Sequence, residues 1–166
     1  MAAQTQISVE EYLRTSFDGP DREYVDGEIV ERNVGDYRHS KAQRRLVTLF
    51  DRLADNLPLH PLPELRVKLA PKRYRVIDLA VFSGDEPTED VPSSPPLIAI
   101  EILSPDDRFA DVLEKFEDYR KWGVPHCWFV DPRSRKIYVY SAGLSEVPAF
   151  RIPEFDVEIP ATEIFR

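Results

Sequence analysis

Apolar residues recur every three to four positions through Ala42, Leu46, Leu49, Phe50, Leu53 and Leu57, while Lys41, Arg44, Arg45 and Arg52 fall mostly on the other side. The period predicts an amphipathic helix from about Ser40 to Asn56 with a basic outer face. Ser8-Val-Glu-Glu11 has the form of a capping box and opens a short peripheral helix through about Arg14, closed by the turn Asp18-Gly-Pro-Asp21. A third helix spans about Asp106 to Trp122, with Gly123 at its C-terminal cap and Pro125 barring its continuation.

Alternation and short apolar runs mark the strands. Asp26-Gly27, between Glu23–Val25 and Glu28–Glu31, is the strongest hairpin signal in the chain. The stretch Pro58–Pro63 ends the basic helix and reads as a break. Leu65–Ala70 then alternates as a half-exposed strand, turns at Pro71–Arg73 and returns as Arg75–Phe82. Beyond the proline- and acid-rich loop Ser83–Pro96, the run Leu97–Leu103 has the character of a central strand buried on both faces. Cys127–Val130 and Lys136–Tyr140 add two more strands, and Phe150–Phe165 mixes strand with coil. The order predicts an α/β or α+β fold, a mixed β-sheet flanked by helices. The Leu97 strand, Asp106 helix and Cys127 strand make a right-handed βαβ crossover, so those two strands are expected to be parallel.

Composition narrows the picture. With 166 residues and 42% apolar content, residues 1–166 suffice for one compact domain. Cys127 is the sole cysteine, which excludes an intrachain disulfide framework and a multi-cysteine zinc site. No apolar run reaches membrane-spanning length, and Met1–Gln6 lacks a basic stretch followed by an apolar one, so a cytoplasmic protein is expected. The net charge of −8 argues against a general nucleic-acid coat. Yet the charge is uneven: Arg38–Arg75 holds ten lysines and arginines against three acids, and Asp85–Asp118 holds two against eleven. Such polarity suits separate phosphate-binding and metal-binding surfaces, or simply two solvated faces.

Two acids break the apolar strands: Asp78 within Arg75–Phe82, and Glu101 within Leu97–Leu103. Burying an unpaired carboxylate costs several kcal/mol, so each needs a compensating cation. A divalent metal held between the strands would serve, with Asp78, Glu101 and the backbone carbonyl of Ile102 as oxygen ligands of the kind Mg²⁺ prefers. At about 100° per residue from Val112, Lys115 falls at about 300°, on the sheet-facing side of its helix between Trp122 and Tyr119. Its ammonium there can approach Glu101, position an attacking water and stabilise a charged transition state. The alternative is a snorkelling side chain that covers apolar surface with its stem.

The set Glu23-Tyr-Val-Asp-Gly-Glu28, Arg38-His-Ser40, Arg75-Val-Ile-Asp78, Glu101-Ile-Leu-Ser-Pro105, Lys115, Tyr119 and Gly123 to Pro132 resembles the bacterial Uma-two family of restriction-endonuclease-like proteins, part of the PD-(D/E)XK nuclease superfamily. The likeness runs from about Ser8 to Tyr140. It implies a four-stranded mixed sheet flanked by helices, with acids on adjacent strands. It makes Asp78 the motif aspartate, Glu101 the second acid and Glu23 an acid contributed from the N-terminal region. Leu103 stands where the motif usually has its lysine, which this family displaces to the following helix, at Lys115. Ile77 replaces the motif proline, a change that concerns strand shape rather than chemistry.

The leading expectation is a Mg²⁺-dependent DNA endonuclease, with Mn²⁺ able to substitute, that hydrolyses phosphodiester bonds through metal-activated water. Asp78 and Glu101 serve as ligands, Lys115 as electrostatic stabiliser and Glu23 as auxiliary acid. Arg38, His39 and Lys41 are candidate phosphate contacts, although a histidine at a helix entry also serves structural ends. Basic residues of the second helix and of the Lys68–Arg75 hairpin would hold the DNA backbone. Cleavage of both strands would call for a homodimer. His60, His126 and Cys127 have no ligand spacing, and Trp122, Trp128 and Tyr119 read as core. The competing expectation is a catalytically inactive nuclease-fold module acting in protein–protein interaction or regulation. A two-carboxylate glycosidase is disfavoured, because 166 residues leave little room for a sugar cleft.

Overall fold

The computed structural model describes residues 6–166, so residues 1–5 of the stretch inspected for a leader lie outside the described residues. The first half of the chain runs α1 (Val9–Arg14), β1 (Glu23–Val25), β2 (Glu28–Val30), α2 (Tyr37–Ala54), β3 (Leu59–Ala70) and β4 (Arg73–Ser83). The second half runs β5 (Ile98–Ile102), α3 (Phe109–Trp122), β6 (His126–Asp131), β7 (Lys136–Tyr140), β8 (Leu144–Val147), β9 (Ala149–Ile152), β10 (Val157–Pro160) and α4 (Ala161–Ile164).

Local chemistry accounts for most boundaries. Ser8 caps α1 by accepting the Glu11 N–H at 3.1 Å. Asp26 and Gly27 both adopt positive φ, 51° and 98°, as the two-residue turn of the β1–β2 hairpin requires. Helix α2 begins a turn earlier than expected, because Asp36 accepts the His39 N–H at 2.9 Å and serves as its cap. Helix α3 begins later, at Phe109, since Asp107 turns back to accept the Ser104 N–H at 2.7 Å. Gly123, at φ 107°, closes α3 in the left-handed conformation.

The proline-rich stretch is not a break. Strand β3 starts at Leu59 and carries Pro61 and Pro63 opposite Val81 and Leu79. It pairs with β4 alone, so as an edge strand it can turn alternate, N–H-less positions outward.

One eight-stranded mixed sheet results, ordered β2-β1-β4-β5-β6-β7-β8 with β3 also on β4, and it exceeds the four strands implied by the resemblance. Strands β5 and β6 are parallel, as the crossover requires. On one face, α2 packs Leu46 and Phe50 against Leu79, Val81, Ile98, Ile100 and Trp128. The β9–β10 hairpin closes the same face, with Phe150 stacked on Trp128 at 4.1 Å between centroids. On the other face, α3 sets Val112, Phe116 and Tyr119 over Ala80, Ala99 and Phe129. Helix α1 is peripheral but anchored, its fully buried Tyr12 stacked on Tyr24 at 5.2 Å and tilted against Tyr74.

Strand β4 sets the position of the site. Strand β3 runs along one of its edges from Arg73 to Ser83. The opposite edge is shared: β1 takes Arg73 and Tyr74, and β5 takes Leu79 to Val81. Between them on that edge, Arg75 to Asp78 has no strand beside it. Buried backbone groups in such a notch must find side-chain partners.

Candidate active site

The notch is filled by charged side chains. Glu23, at the start of β1, accepts the Val76 N–H through Oε1 at 3.0 Å, and Lys115 from α3 donates to the Val76 carbonyl at 3.1 Å. Gln43 of α2 donates to the Asp78 carbonyl at 2.9 Å. On the β5 side, the Asp78 carboxylate takes the Ile102 N–H at 2.8 Å, in place of a ladder partner. Side chains thus satisfy backbone groups where the strands diverge, and in doing so they gather around a cleft of about 520 Å³.

Asp78 and Glu101 share this cleft. Extending the Leu79–Ile100 pairing by one residue sets them opposite each other. Asp78 Oδ1 accepts from Arg32 at 3.0 Å, and Oδ2 lies 3.3 Å from His39 Nε2. Glu101 Oε2 accepts from Lys115 Nζ at 3.0 Å, and Oε1 accepts the Tyr119 hydroxyl at 2.5 Å. Lys115 is shared, since its Nζ is also 3.0 Å from Glu23 Oε1. Glu23 in turn holds Arg75 at 3.0 Å through Oε2. Arg75 donates on to Asp118 at 2.7 and 3.0 Å and to Glu114 at 3.1 Å.

Charge balance separates the carboxyls. Burial alone would raise Asp78, but His39, Lys115 and Arg32 outweigh it and hold the group below the usual carboxylate range. Glu23 likewise falls below that range despite its burial, through Lys115, Arg75 and the Val76 N–H. Glu101 goes the other way. Burial and the negative charge of Asp78 prevail over Lys115, and the carboxyl is pushed up to about 8. Lys115 stays charged, because its acidic neighbours overcome the cost of its burial. His39 is raised above the ordinary imidazole value, its burial outweighed by Asp78. Near neutrality, then, Asp78 is ionised and Glu101 holds a proton, a division typical of sites that use one acid and one base.

The oxygen atoms facing this cleft form a hard donor set. In an extended strand a residue's N–H and C=O leave on the same edge, so the Ile102 carbonyl points toward β4, where Asp78 binds the Ile102 N–H. Two carboxylates and one carbonyl suit Mg²⁺ better than a thiol- or imidazole-preferring metal. Among the described residues no three His, Cys, Asp or Glu side chains converge as a metal cluster. The high position of Glu101 marks a spot short of positive charge, which a divalent cation fits.

The residues expected from sequence divide into groups. Asp78, Glu101, Lys115 and Glu23 come together in one bonded cluster. His39 parts from Arg38 and Lys41: it is 6% exposed and faces Asp78, while the other two open on a separate groove. His39 is in phase with Ala42, Leu46 and Phe50 on the buried stripe of α2, a signal present in the sequence. Arg75 is 4% exposed and bound to three acids, so it faces inward and does not hold a nucleic-acid backbone. Tyr119 is more than packing, and its position one turn after Lys115 already placed both on one helix face.

Arg32, Gln43 and Glu64 were not anticipated. Arg32 lies between elements and nothing in its neighbourhood marked it. Glu64 adopts φ 51° within β3, and its carboxylate accepts from Arg32 and Gln43 at 2.8 Å each. This left-handed residue drops out of the β3–β4 register opposite Asp78 and carries its carboxylate to the cleft. Gly35 has its own role: a Cβ there would lie 2.6 Å from His39 Nδ1, so only glycine lets the ring sit against the chain and reach Asp78.

A mixed sheet flanked by helices, with buried acids gathered where two strands part from β4, defines a restriction-endonuclease-like α+β fold. The chain belongs to the Uma2 family, described as "putative restriction endonuclease", which it matches over residues 9–166. Among solved structures it is similar to a "putative nuclease belonging to DUF820" from Anabaena variabilis, with a TM-score of 0.81 and 23% identity over 96% of this chain and 97% of the other. At that identity the likeness establishes the fold. Comparison with the curated proteins finds no match. Among the described residues no helix is long and apolar enough to cross a membrane.

Proposed function

We propose that the chain is a Mg²⁺-dependent DNA endonuclease, with Mn²⁺ able to substitute, and that Asp78, Glu101 and the Ile102 carbonyl hold the ion. The observation that carries this reading is the pairing of a low carboxyl, Asp78, with a high one, Glu101, at the same strand divergence and beside a buried lysine. A bound divalent ion supplies charge at phosphorus and makes water a better nucleophile at neutral pH.

The chain's own residues do the rest. Lys115 gives its three N–H bonds to Glu23, Glu101 and the Val76 carbonyl, and so acts through the field of a fixed ammonium, which favours negative charge developing nearby. Glu101 accepts or releases a proton near neutral pH, beside the place where water would attack. Tyr119 fixes the rotamer of Glu101, and Arg32 and His39 fix that of Asp78. Glu23 orients Lys115 as an auxiliary acid. Hydrolysis joins the water oxygen to phosphorus and breaks the bridging P–O bond, with the water proton passing toward the carboxylates and the leaving oxygen taking a proton from solvent to become the free hydroxyl. A homodimer would bring two such clefts to the two strands of a duplex.

Nicking of supercoiled plasmid in Mg²⁺ or Mn²⁺ tests the reading. Asp78→Asn and Glu101→Gln preserve shape and are expected to lower the rate by about a hundredfold or more. Nicking that survives both substitutions assigns the activity elsewhere. Absence of nicking, together with absence of Mn²⁺ binding by calorimetry, favours the catalytically inactive module.

A further inference from the structure

Beyond the cleft, the first turns of α2 border a second groove of about 330 Å³. It is lined by Tyr37, Arg38 and Lys41 from α2, Arg133 and Arg135 from the β6–β7 turn, and Phe165 after α4. We propose that this groove binds the phosphodiester backbone of DNA leading out of the cleft, with the four cations on phosphates and Tyr37 against a base. The identity of the polyanion rests on the nuclease reading; the site itself rests on the geometry that follows.

The cations are free. Arg38, Lys41, Arg133 and Arg135 are all exposed, and among the described residues none of them takes part in an ion pair, whereas Arg32, Arg45, Arg73 and Arg75 each hold an acid. Asp36 lies within electrostatic reach of Arg38 and Arg133 but forms an ion pair with neither, and the nearby acids have other hydrogen-bond partners. Asp36 caps α2 through the His39 N–H, Asp131 accepts the N–H groups of Arg133 and Ser134, and Glu163 pairs with Arg166. On a chain of net charge −8, four clustered, exposed cations without an ion-pair partner among the described residues are a local exception that selects a polyanion.

The turn is built to present its arginines. Arg135 adopts φ 58°, a conformation that favours glycine, and its guanidinium is tied to the Phe165 carbonyl at 2.8 Å. An arginine kept where glycine is easier points to use of its side chain. Tyr37 is 78% exposed beside these cations, and an open aromatic ring among cations suits a base better than an acidic peptide.

Placement joins groove to cleft. His39, Ser40 and Gln43 face the cleft, and Tyr37, Arg38 and Lys41 face the groove, so one helix lies between them. A helix with side chains is about 10–12 Å across. That distance is roughly three nucleotides of a strand rising about 3.4 Å per step.

The test is fluorescence anisotropy of labelled single-stranded and duplex oligonucleotides in EDTA, where no cleavage intervenes. The double variant R133A/R135G, whose glycine suits the left-handed position, is expected to bind about tenfold or more weakly at low salt. The slope of log K against log salt should flatten by about 1.4–1.8, the loss of two phosphate contacts. R133K/R135K should retain the wild-type slope. Wild-type affinity and slope in R133A/R135G overturn the proposal, as does binding of polyglutamate without binding of DNA. The two readings fail separately. Metal-independent DNA binding lost in R133A/R135G, with no plasmid nicking, removes the nuclease and leaves the groove. Nicking and binding unchanged in R133A/R135G remove the groove and leave the nuclease.

Discussion

Lys115 Nζ and Glu101 Oε2 lie 3.0 Å apart inside the protein, yet the ammonium does not hold the carboxyl low, and burial pushes it up to about 8. Lys115 is equally close to Glu23, and Asp78 adds negative charge from the facing strand. A single ammonium divided between two acids leaves Glu101, which unlike Glu23 has no arginine beside it, short of compensation.

Glu101 makes stability depend on pH. Its folded pKa of about 8 lies above its ordinary value of 4.5, so its contribution is fully present below about pH 4.5 and is lost as pH rises through about 8. Without divalent ions, Tm is expected to fall between those limits, more steeply than in Glu101→Gln. His39, also raised, adds a loss of the same sign as pH rises above its unfolded value. Thermal melts at half-unit pH intervals check the slope, and a curve equally steep in Glu101→Gln would refute the assignment.

If the cation site is as proposed, ion binding displaces the Glu101 proton. Calorimetric titration with Mn²⁺ at pH 7 in buffers of different ionisation enthalpy should report release of about one proton. Glu101→Gln should bind more weakly and release none.

Removing the lysine strands the ionised Glu23 and takes a donor from Glu101. Lys115→Met is expected to cost about 3–5 kcal/mol in urea denaturation, the loss seen when one partner of a buried pair is deleted. Adding Glu23→Gln, which removes the stranded charge, should restore part of that loss, whereas two additive penalties would mean the residues do not interact.

Arg75 is held by Glu23, Asp118 and Glu114 through three different nitrogens. Lysine cannot reproduce that fork, so Arg75→Lys should destabilise nearly as much as Arg75→Met. Equilibrium denaturation of the two variants decides the point.

Gly35→Ala places a methyl where the His39 ring now lies. The ring must shift, its bond to Asp78 weakens, and the His39 pKa should fall toward 6.5, as followed by NMR titration of the ring protons. An unchanged titration would show that the ring finds another route to Asp78.

Much of this was legible in the sequence, because chemistry out of place is conspicuous. Asp78 and Glu101 announced themselves as acids inside apolar runs, and helical spacing placed Lys115 toward the sheet. Helices α1, α2 and α3 followed from capping signals and periodicity, and the parallel β5–β6 pair from the crossover, whereas α4 lay in a tail read as strand and coil. What stayed hidden depended on tertiary arrangement. Pro61 and Pro63 looked like breakers because nothing local says that β3 lies at an edge. Arg32 and Glu64 sit on the rim through chain routing alone. Arg75 shared the signal of Asp78, a charge in a buried strand, but charge by itself does not tell an inward partner from an outward ligand.

The open stretch of β4 between its two neighbours also bears on how such a protein can change over time. The residues that mend the backbone there are the ones proposed for chemistry, so a lineage giving up catalysis cannot discard them singly without damaging its own architecture. Descendants are expected to replace Glu23, Asp78, Glu101 and Lys115 in matched sets or to retain them as relics.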